Sequence, residues 1–276
     1  MAGRDVEFLQ PGESSFEWAL TKDDHSGGPK TRKGKQCTGC HEGEEADIAS
    51  DAAEELGFPP TLTANLKFAR DDERLYVRLE WPALAATAKK LDPDFEARAT
   101  ILFDDGSVKA ARVAGCWMTC HDDLSSMPEA PGESERTKYL GASRVKIRRS
   151  GGGDDVKPQA ELDRMRAAGE FLEYWQAALN RGKPAVARDG WILDRRRVNE
   201  TPLASAEASF ANGRWSVVLS RALISGASGR KDIVAGKRYT FNLAIHESYA
   251  NERFHYVSLE QTFALDGGKA EWIVPR

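Results

Sequence analysis

Four cysteines fall into two short motifs, and these motifs constrain the chain more than any other feature. The stretch CTGCH, residues 37–41, has two cysteines three positions apart and a histidine directly after the second. This spacing is typical of c-type haem attachment, in which two thiols add to the vinyl groups of haem and the histidine ligates the iron. The first motif therefore predicts a covalent haem on Cys37, Cys40 and His41.

The second motif, CWMTCH at residues 116–121, has one residue more between its thiols. A histidine again follows the second cysteine, so we predict a second covalent haem on Cys116, Cys120 and His121. The two motifs use all four cysteines and leave none for disulfide bonds. A zinc site built from the same residues is the alternative, although zinc does not require a histidine joined to each cysteine pair.

A six-coordinate iron needs a second axial ligand on the face opposite the motif histidine. The histidines outside the motifs, His25, His246 and His255, are our candidates for these distal positions. If the last hairpin turns at residues 249–252, His246 lies opposite His255, and both rings project as exposed groups from one face of the sheet. The alternative is a pair of structural histidines satisfied by hydrogen bonds.

The methionines are weaker candidates for iron ligation. Met127 follows His121 by six residues, and six extended residues reach only about 20 Å, which makes the path around the haem edge marginal. Met118 lies inside the attachment loop and is a poorer candidate. Met165 belongs to an apolar stripe at helical spacing, so we predict a core residue there.

Alternating apolar residues and turn signals predict a mainly β fold. Residues 65–70 and 75–81 flank a polar turn, and residues 205–210 and 215–220 flank Asn212-Gly213, the strongest hairpin signal in the chain. Further strands are predicted over 99–103, 239–247 and 253–263. Strands that recur in hairpins favour a β-sandwich.

Helices are expected to be few, over residues 44–56, 83–91 and 159–180. The segment 121–157 is rich in proline and glycine with little periodicity, which predicts a long irregular loop around the second haem. We expect residues 1–276 to form a single haem-binding β-sandwich domain, in which 1–60 carries the first haem motif and 110–160 the second haem loop.

Charge and hydropathy exclude several classes of protein. The formal net charge is −4 and no basic cluster alternates with aromatic residues, so we expect no nucleic-acid binding. The densest basic patch, RKGK at 32–35, lies just before the first motif and is either a solvated loop or a contact for haem propionates or a partner. No apolar run is long enough for a membrane span.

Covalent haem is ordinarily attached outside the bacterial cytoplasm, and we therefore expect a periplasmic protein. The start of the chain, MAGRDVEF, shows neither the basic nor the apolar region of a secretory signal. Our expectation is that a signal peptide or anchor has been removed, and that any membrane association is through that anchor or a partner.

Several quoted stretches together resemble the ethylbenzene-dehydrogenase-type haem-binding domain in its dihaem c-type relatives. They are FEWALTKDDHSGG, GKQCTGCHEGEE, LYVRLEW, GCWMTCHDDLSSMP, TKYL and FNLAIHESYANERFHYVSL. The resemblance implies an immunoglobulin-like or jelly-roll β-sandwich with a few helices and long haem-binding loops. Relatives that are haem subunits of molybdenum enzymes bind haem non-covalently through Met and Lys, whereas this chain has c-type attachment motifs, so we do not assign its axial ligands from those relatives.

The motifs and the resemblance together favour electron transfer over catalysis. We expect a dihaem c-type cytochrome that relays single electrons between a quinol-oxidising membrane partner and a terminal or molybdenum-containing reductase. One alternative is a haem enzyme with an open iron site, where Asp122 and Asp123 would manage protons. The other alternative is a haem-based gas or redox sensor, for which no output domain is visible.

Overall fold

Strands dominate the architecture. The computed structural model describes residues 3–11, 25–49, 58–84, 94–115, 119–121, 138–146, 155–247 and 255–276, and for 119–121 it describes the strand pairing alone. The strands in these ranges are β1 Arg4–Leu9, β2 Thr61–Arg70, β3 Arg74–Pro82, β4 Ala97–Asp104, β5 Thr119–His121, β6 Lys138–Leu140, β7 Leu172–Leu179, β8 Val186–Ile192, β9 Arg196–Val198, β10 Ser205–Ala211, β11 Arg214–Ala222, β12 Arg238–His246, β13 Tyr256–Ser258, β14 Gln261–Leu265 and β15 Trp272–Val274.

Helices are short and few in the same ranges. They are α1 Gly28–Arg32, α2 Thr38–His41, α3 Glu45–Ile48, α4 Ala111–Ala114 and α5 Gln159–Ala167, with a 3-10 turn at Gly141–Ser143. None of the helices in the described part of the chain has the length and apolar character of a membrane span.

Neighbouring strands pair in the order β10-β11-β3-β2-β1-β13-β12-β4-β7-β8-β9, with β14 on β12 and β15 parallel to β14, while β5 and β6 form a separate pair. The sheet curls back on itself, because β10 and β11 at one end of this order contact β7 and β8 near the other end. Apolar side chains from both halves fill the space between them. The expected mainly β, sandwich-like fold is confirmed.

The core follows from the alternation seen in the sequence. On β3, Leu75, Val77, Leu79 and Trp81 are buried, while the residues between them are half-buried. A cluster of aromatic rings forms the centre of the core, in which Phe68 stacks on Phe263 with ring centres 5.3 Å apart. Burial of such large rings is the main stabilising contribution in a sheet sandwich of this size.

Two predicted hairpins form at the expected turns. Asp71 accepts backbone hydrogen bonds from Glu73 and Arg74 at 2.8 and 2.7 Å and closes the turn between β2 and β3. Asn212 and Gly213 both have positive φ, 51° and 73°, between β10 and β11. That is the mirror-image turn whose twist matches a hairpin.

The predicted helix over 159–180 is wrong in its second half. Helix α5 ends at Ala167, and Gly169 follows with φ of 76°, a left-handed conformation that stops the helix. Residues 172–179 form β7, which pairs with β4 and β8. Both faces of β7 are buried, so its apolar residues show no alternation and mimic helical spacing. Met165 on α5 is buried, as predicted for a core residue.

The other predicted helices are tested only in part. Residues 45–48 form the short helix α3 inside the predicted 44–56 segment, and residues 50–57 lie outside the described residues. Residues 85–91 of the predicted helix at 83–91 and most of the irregular 121–157 loop also lie outside them, and residues 83–84 are not helical.

Candidate haem-binding site

The CTGCH motif forms a single helical turn. Cys37 is the first residue before α2, and its carbonyl accepts hydrogen bonds from the amides of Cys40 at 3.0 Å and His41 at 2.9 Å. Side chains three and four positions apart lie on the same face of a helix. This turn therefore brings Cys37, Cys40 and His41 to one patch of surface, where Cys40 is exposed and Cys37 half-buried.

The His41 ring has a carboxylate beside one of its two nitrogens. Nδ1 of His41 lies 3.5 Å from the Glu44 carboxylate. With this carboxylate on the Nδ1 side, Nε2 is the candidate nitrogen for iron. This arrangement fits the predicted role of His41.

His25 lies next to the motif, as one of the sequence hypotheses requires. The ring centres of His25 and His41 are 6.0 Å apart, and the ring planes are tilted by 39°. Because a metal–imidazole bond is about 2 Å long, two imidazoles on opposite sides of one metal ion have ring centres about 6 Å apart. The spacing fits a six-coordinate haem iron between these two side chains.

Gly27 shapes the position of the His25 ring. A Cβ atom at Gly27 would lie 2.8 Å from Cε1 and 3.1 Å from Nε2 of His25. The backbone of Gly27 has φ −73° and ψ −12°, which any residue adopts. The glycine is therefore needed for space beside His25 and not for backbone freedom, a requirement that the sequence pattern did not reveal.

The approach to the second motif contacts the first motif directly. The amide of Cys37 donates a 3.1 Å hydrogen bond to the carbonyl of Val113, three residues before Cys116. Gly115, with φ of 52°, packs so closely on β12 that a Cβ there would lie 1.5 Å from Oδ1 of Asn242. The two predicted attachment segments therefore start from adjacent points on the fold.

The second motif enters a short two-stranded sheet. Cys120 pairs with Tyr139 and His121 pairs with Lys138 across β5 and β6. Tyr139 is fully buried, and the amide of Leu140 donates a 2.7 Å hydrogen bond to the carbonyl of Leu193, which anchors β6 to the main body. The side chains of the second motif, and all of Met118, Asp122, Asp123 and Met127, lie outside the described residues.

His246 and His255 lie opposite each other, as the sequence predicted. The register Ala244↔Val257 and Ile245↔Tyr256 continues to this pair, and the two rings stack with centres 4.6 Å apart and planes 8° from parallel. The expectation that they are exposed is wrong, because both side chains are buried. Ring nitrogens point within the ring plane, so two stacked rings cannot bind opposite sides of one iron.

Positive charges surround the His246 ring. Burial, followed by the charges of His255, Arg98, Lys138 and Arg196, lowers the pKa of His246 well below its usual value. The ring is therefore neutral, which is the form that binds metal. Arg98 on β4 is the cross-strand neighbour of His246, and Lys138 on β6 is the cross-strand neighbour of His121. The second motif and the buried histidine pair thus belong to one neighbourhood.

Glu260 is a residue of this site that no sequence motif marks. This fully buried carboxylate accepts hydrogen bonds from the amide and hydroxyl of Thr38, at 2.9 and 2.8 Å, inside the first motif. Burial raises the pKa of Glu260 to about 7, against the opposing effect of these hydrogen bonds. No local pattern marks a contact between residues 222 positions apart.

The zinc alternative is not tested across both motifs. Within the described ranges, no three side chains of the His, Cys, Asp and Glu types form a cluster suited to a metal ion. That statement does not extend to Cys116 and Cys120, whose side chains are outside those ranges.

No family model matches the chain. A carbohydrate binding module of family 9 from Caldicellulosiruptor kristjanssonii, in complex with cellotriose, covers 72% of this chain and 65% of its own at 11% identity and a TM-score of 0.31. A likeness this weak carries no argument about fold or ligand.

Two curated proteins are similar over nearly the whole chain. Cytochrome c-552 from Stutzerimonas stutzeri is 29% identical over 279 residues, covering 96% of this chain and 86% of the relative. Cytochrome c-551 from Rhodocyclus tenuis is 26% identical over 277 residues, covering 97% and 94%. With the helical CTGCH turn and its neighbouring histidine, these similarities support a c-type cytochrome with covalently bound haem and a role in electron transfer.

Proposed function

We propose that the chain is a dihaem c-type cytochrome that relays single electrons in the periplasm. Haem, when bound, supplies reversible one-electron chemistry at its iron. The residues that would anchor the two haems and provide their proximal ligands are Cys37, Cys40, His41, Cys116, Cys120 and His121.

The observation that carries this proposal is the hydrogen bond from the amide of Cys37 to the carbonyl of Val113. Cys116 lies three positions after Val113 in the sequence, and a fully extended chain of that length spans at most about 11 Å. Haems bonded at both motifs would start from neighbouring points of the backbone. Such proximity favours electron exchange between them within one chain.

The distal histidines favour relay over substrate binding at the first haem. His25, 6.0 Å from His41 between ring centres, is suited to close the sixth iron position. For the second haem, His246 and His255 are the candidates, and the neutral form of His246 is suited to ligation. The nearby cations Arg98, Lys138 and Arg196 would balance the haem carboxylates.

The surface beside the first motif suits a charged redox partner. Lys33 and Lys35, just before α2 in the chain, and Glu42 and Glu44, just after it, are exposed. Exposed charges near a redox centre orient an incoming protein before contact. By the resemblance drawn from the sequence, we propose a quinol-oxidising membrane protein as donor and a terminal or molybdenum-containing reductase as acceptor.

Haem counting on the fully matured protein tests the proposal. Intact mass with a pyridine haemochrome spectrum is expected to give two covalent haems, and the double variants Cys37→Ala/Cys40→Ala and Cys116→Ala/Cys120→Ala are each expected to lose one. A colourless protein with the mass of its polypeptide would overturn the proposal. High-spin spectra with rapid binding of carbon monoxide would instead favour a haem enzyme.

A further inference from the structure

A buried carboxylate that is distant in the chain, Glu260, makes hydrogen bonds to the first haem motif. Oε1 of Glu260 accepts hydrogen bonds from both the amide and the hydroxyl of Thr38, at 2.9 and 2.8 Å. Thr38 lies between the two cysteines of CTGCH and begins α2. A helix rises about 1.5 Å per residue, so this contact is only about 5 Å along the axis from His41.

The surroundings of Glu260 make a charge there costly. The side chain is fully buried, and among the described residues its Oε2 atom has no hydrogen-bond partner. The adjacent Leu259 packs with Leu9 and Val257 in an apolar cluster that also contacts Cys37. A carboxylate in such surroundings is stabilised less than in water and binds a proton more readily.

The ionisable groups around Glu260 do not neutralise it. Glu271 raises its pKa further, by repulsion between the two carboxylates. On the side of the motif, His41 ends α2, and Lys35 and Glu44 flank the helix as exposed residues. Within the part of the chain that is described, no cation forms an ion pair with Glu260. The resulting pKa of about 7 leaves the group poised between its two states at physiological pH.

We infer that Glu260 is a positioning residue that links electron uptake at the first haem to the uptake of one proton. The inference rests on the proposed function, since it requires haem at CTGCH. An electron entering this site removes one positive charge from the haem, and the Glu260 carboxylate then binds one proton from solvent through a new O–H bond. No bond of the protein breaks. Thr38, whose hydroxyl donates a hydrogen bond to this carboxylate, is itself a half-buried residue.

The linkage has a defined signature in the reduction potential. Each unit by which reduction raises the pKa of Glu260 corresponds to about 59 mV in the potential of a one-electron couple. The potential is expected to be constant at low pH, to fall with rising pH around neutrality, and to level off at higher pH. A residue that only holds the motif in place would give no such dependence.

The test is a spectroscopic redox titration of the matured holoprotein from pH 5 to pH 9. Glu260→Gln keeps the oxygen that accepts hydrogen bonds from Thr38 but cannot lose a proton. The reduction potential of the first haem is therefore expected to lose its pH dependence around neutrality and to be higher at pH 9 than in the wild type. Thr38→Val removes one stabilising hydrogen bond and is expected to move the dependence to higher pH. The exposed Glu207 on β10 gives the matched control Glu207→Gln, which is expected to behave as wild type.

Infrared difference spectra of the wild type, reduced minus oxidised, provide a readout that does not depend on a variant folding. A carbonyl band of a protonated carboxyl group is expected to appear on reduction and to be absent in Glu260→Gln. This inference alone would be overturned by the following result: both haems are attached, the reduction potential of Glu260→Gln depends on pH as in the wild type, and the wild type shows no such band. Absence of haem from the matured wild type would overturn the proposed function first.

Discussion

The imidazoles of His246 and His255 lie face to face across neighbouring strands, with ring centres 4.6 Å apart and planes 8° from parallel. The contrast with His25 and His41, whose ring centres are 6.0 Å apart, is chemically informative. The wider spacing leaves room for an iron between two rings, and the stacked pair does not. The stacked pair can therefore supply at most one ligand to any single iron.

From this geometry we expect the two histidines of the pair to respond differently to substitution. One of His246→Ala and His255→Ala should convert the second haem from low spin to high spin, while the other leaves the haem low spin and loses only a packing contact. Optical and electron paramagnetic resonance spectra of both matured variants measure this. Low-spin spectra for both haems in both variants would exclude the pair as ligands.

Replacing His25, or filling the space beside its ring, should change the spin state of the first haem iron. His25→Ala is expected to make that haem high spin, and Gly27→Ala is expected to weaken the same ligation, because its Cβ would lie 2.8 Å from the His25 ring. Gly39→Ala is the matched control inside the motif, since the atoms nearest to its Cβ would be at the flexible end of the Lys35 side chain. A low-spin first haem in His25→Ala would contradict the assignment.

Gly115 should tolerate no side chain, because it packs against Asn242 just before the second motif. Gly115→Ala combines backbone strain of about 1–3 kcal/mol at φ 52° and ψ −125° with overpacking of about 1–3 kcal/mol. Gly226→Ala is the control, because Gly226 has a similar φ of 59° but open space around it. Denaturant unfolding of the two variants should therefore differ by the overpacking contribution, and equal losses would show that the contact with Asn242 is unimportant.

The buried carboxylate should make stability depend on pH. The pKa of Glu260 is raised from 4.5 to about 7 in the folded protein, so the folded state binds this proton more tightly than the unfolded state. The contribution of this proton to the free energy of unfolding is complete below about pH 4.5 and is lost as the pH rises through 7. By linkage the loss is about 3 kcal/mol.

Glu260→Gln should remove this part of the pH dependence and make the free energy of unfolding at pH 8 larger than that of the wild type. Unfolding curves for the matured wild type and variant at pH 5 and pH 8 give the comparison. If the free energy of unfolding changed equally between pH 5 and pH 8 in both proteins, the pKa of Glu260 would not be raised by folding.

Local patterns were sufficient for much of the fold. The turn at Asn212-Gly213 and the alternation on β3 depend on neighbouring residues, and both appear as predicted. The register that sets His246 opposite His255 was also predicted, and the predicted turn itself, at 249–252, lies outside the described residues. Prediction was wrong over 172–179, because a strand buried on both faces has no alternation for the sequence to display.

The sequence by itself determined which side chains are available to hold a haem, since the thiols and imidazole of CTGCH must be close whatever the rest of the chain does. Only the tertiary structure decided what surrounds that motif. Glu260 reaches Thr38 across 222 positions, and Val113 reaches Cys37 through a backbone hydrogen bond. Such contacts arise from the order in which strands pair and curl, and residue spacing along the chain carries no record of them.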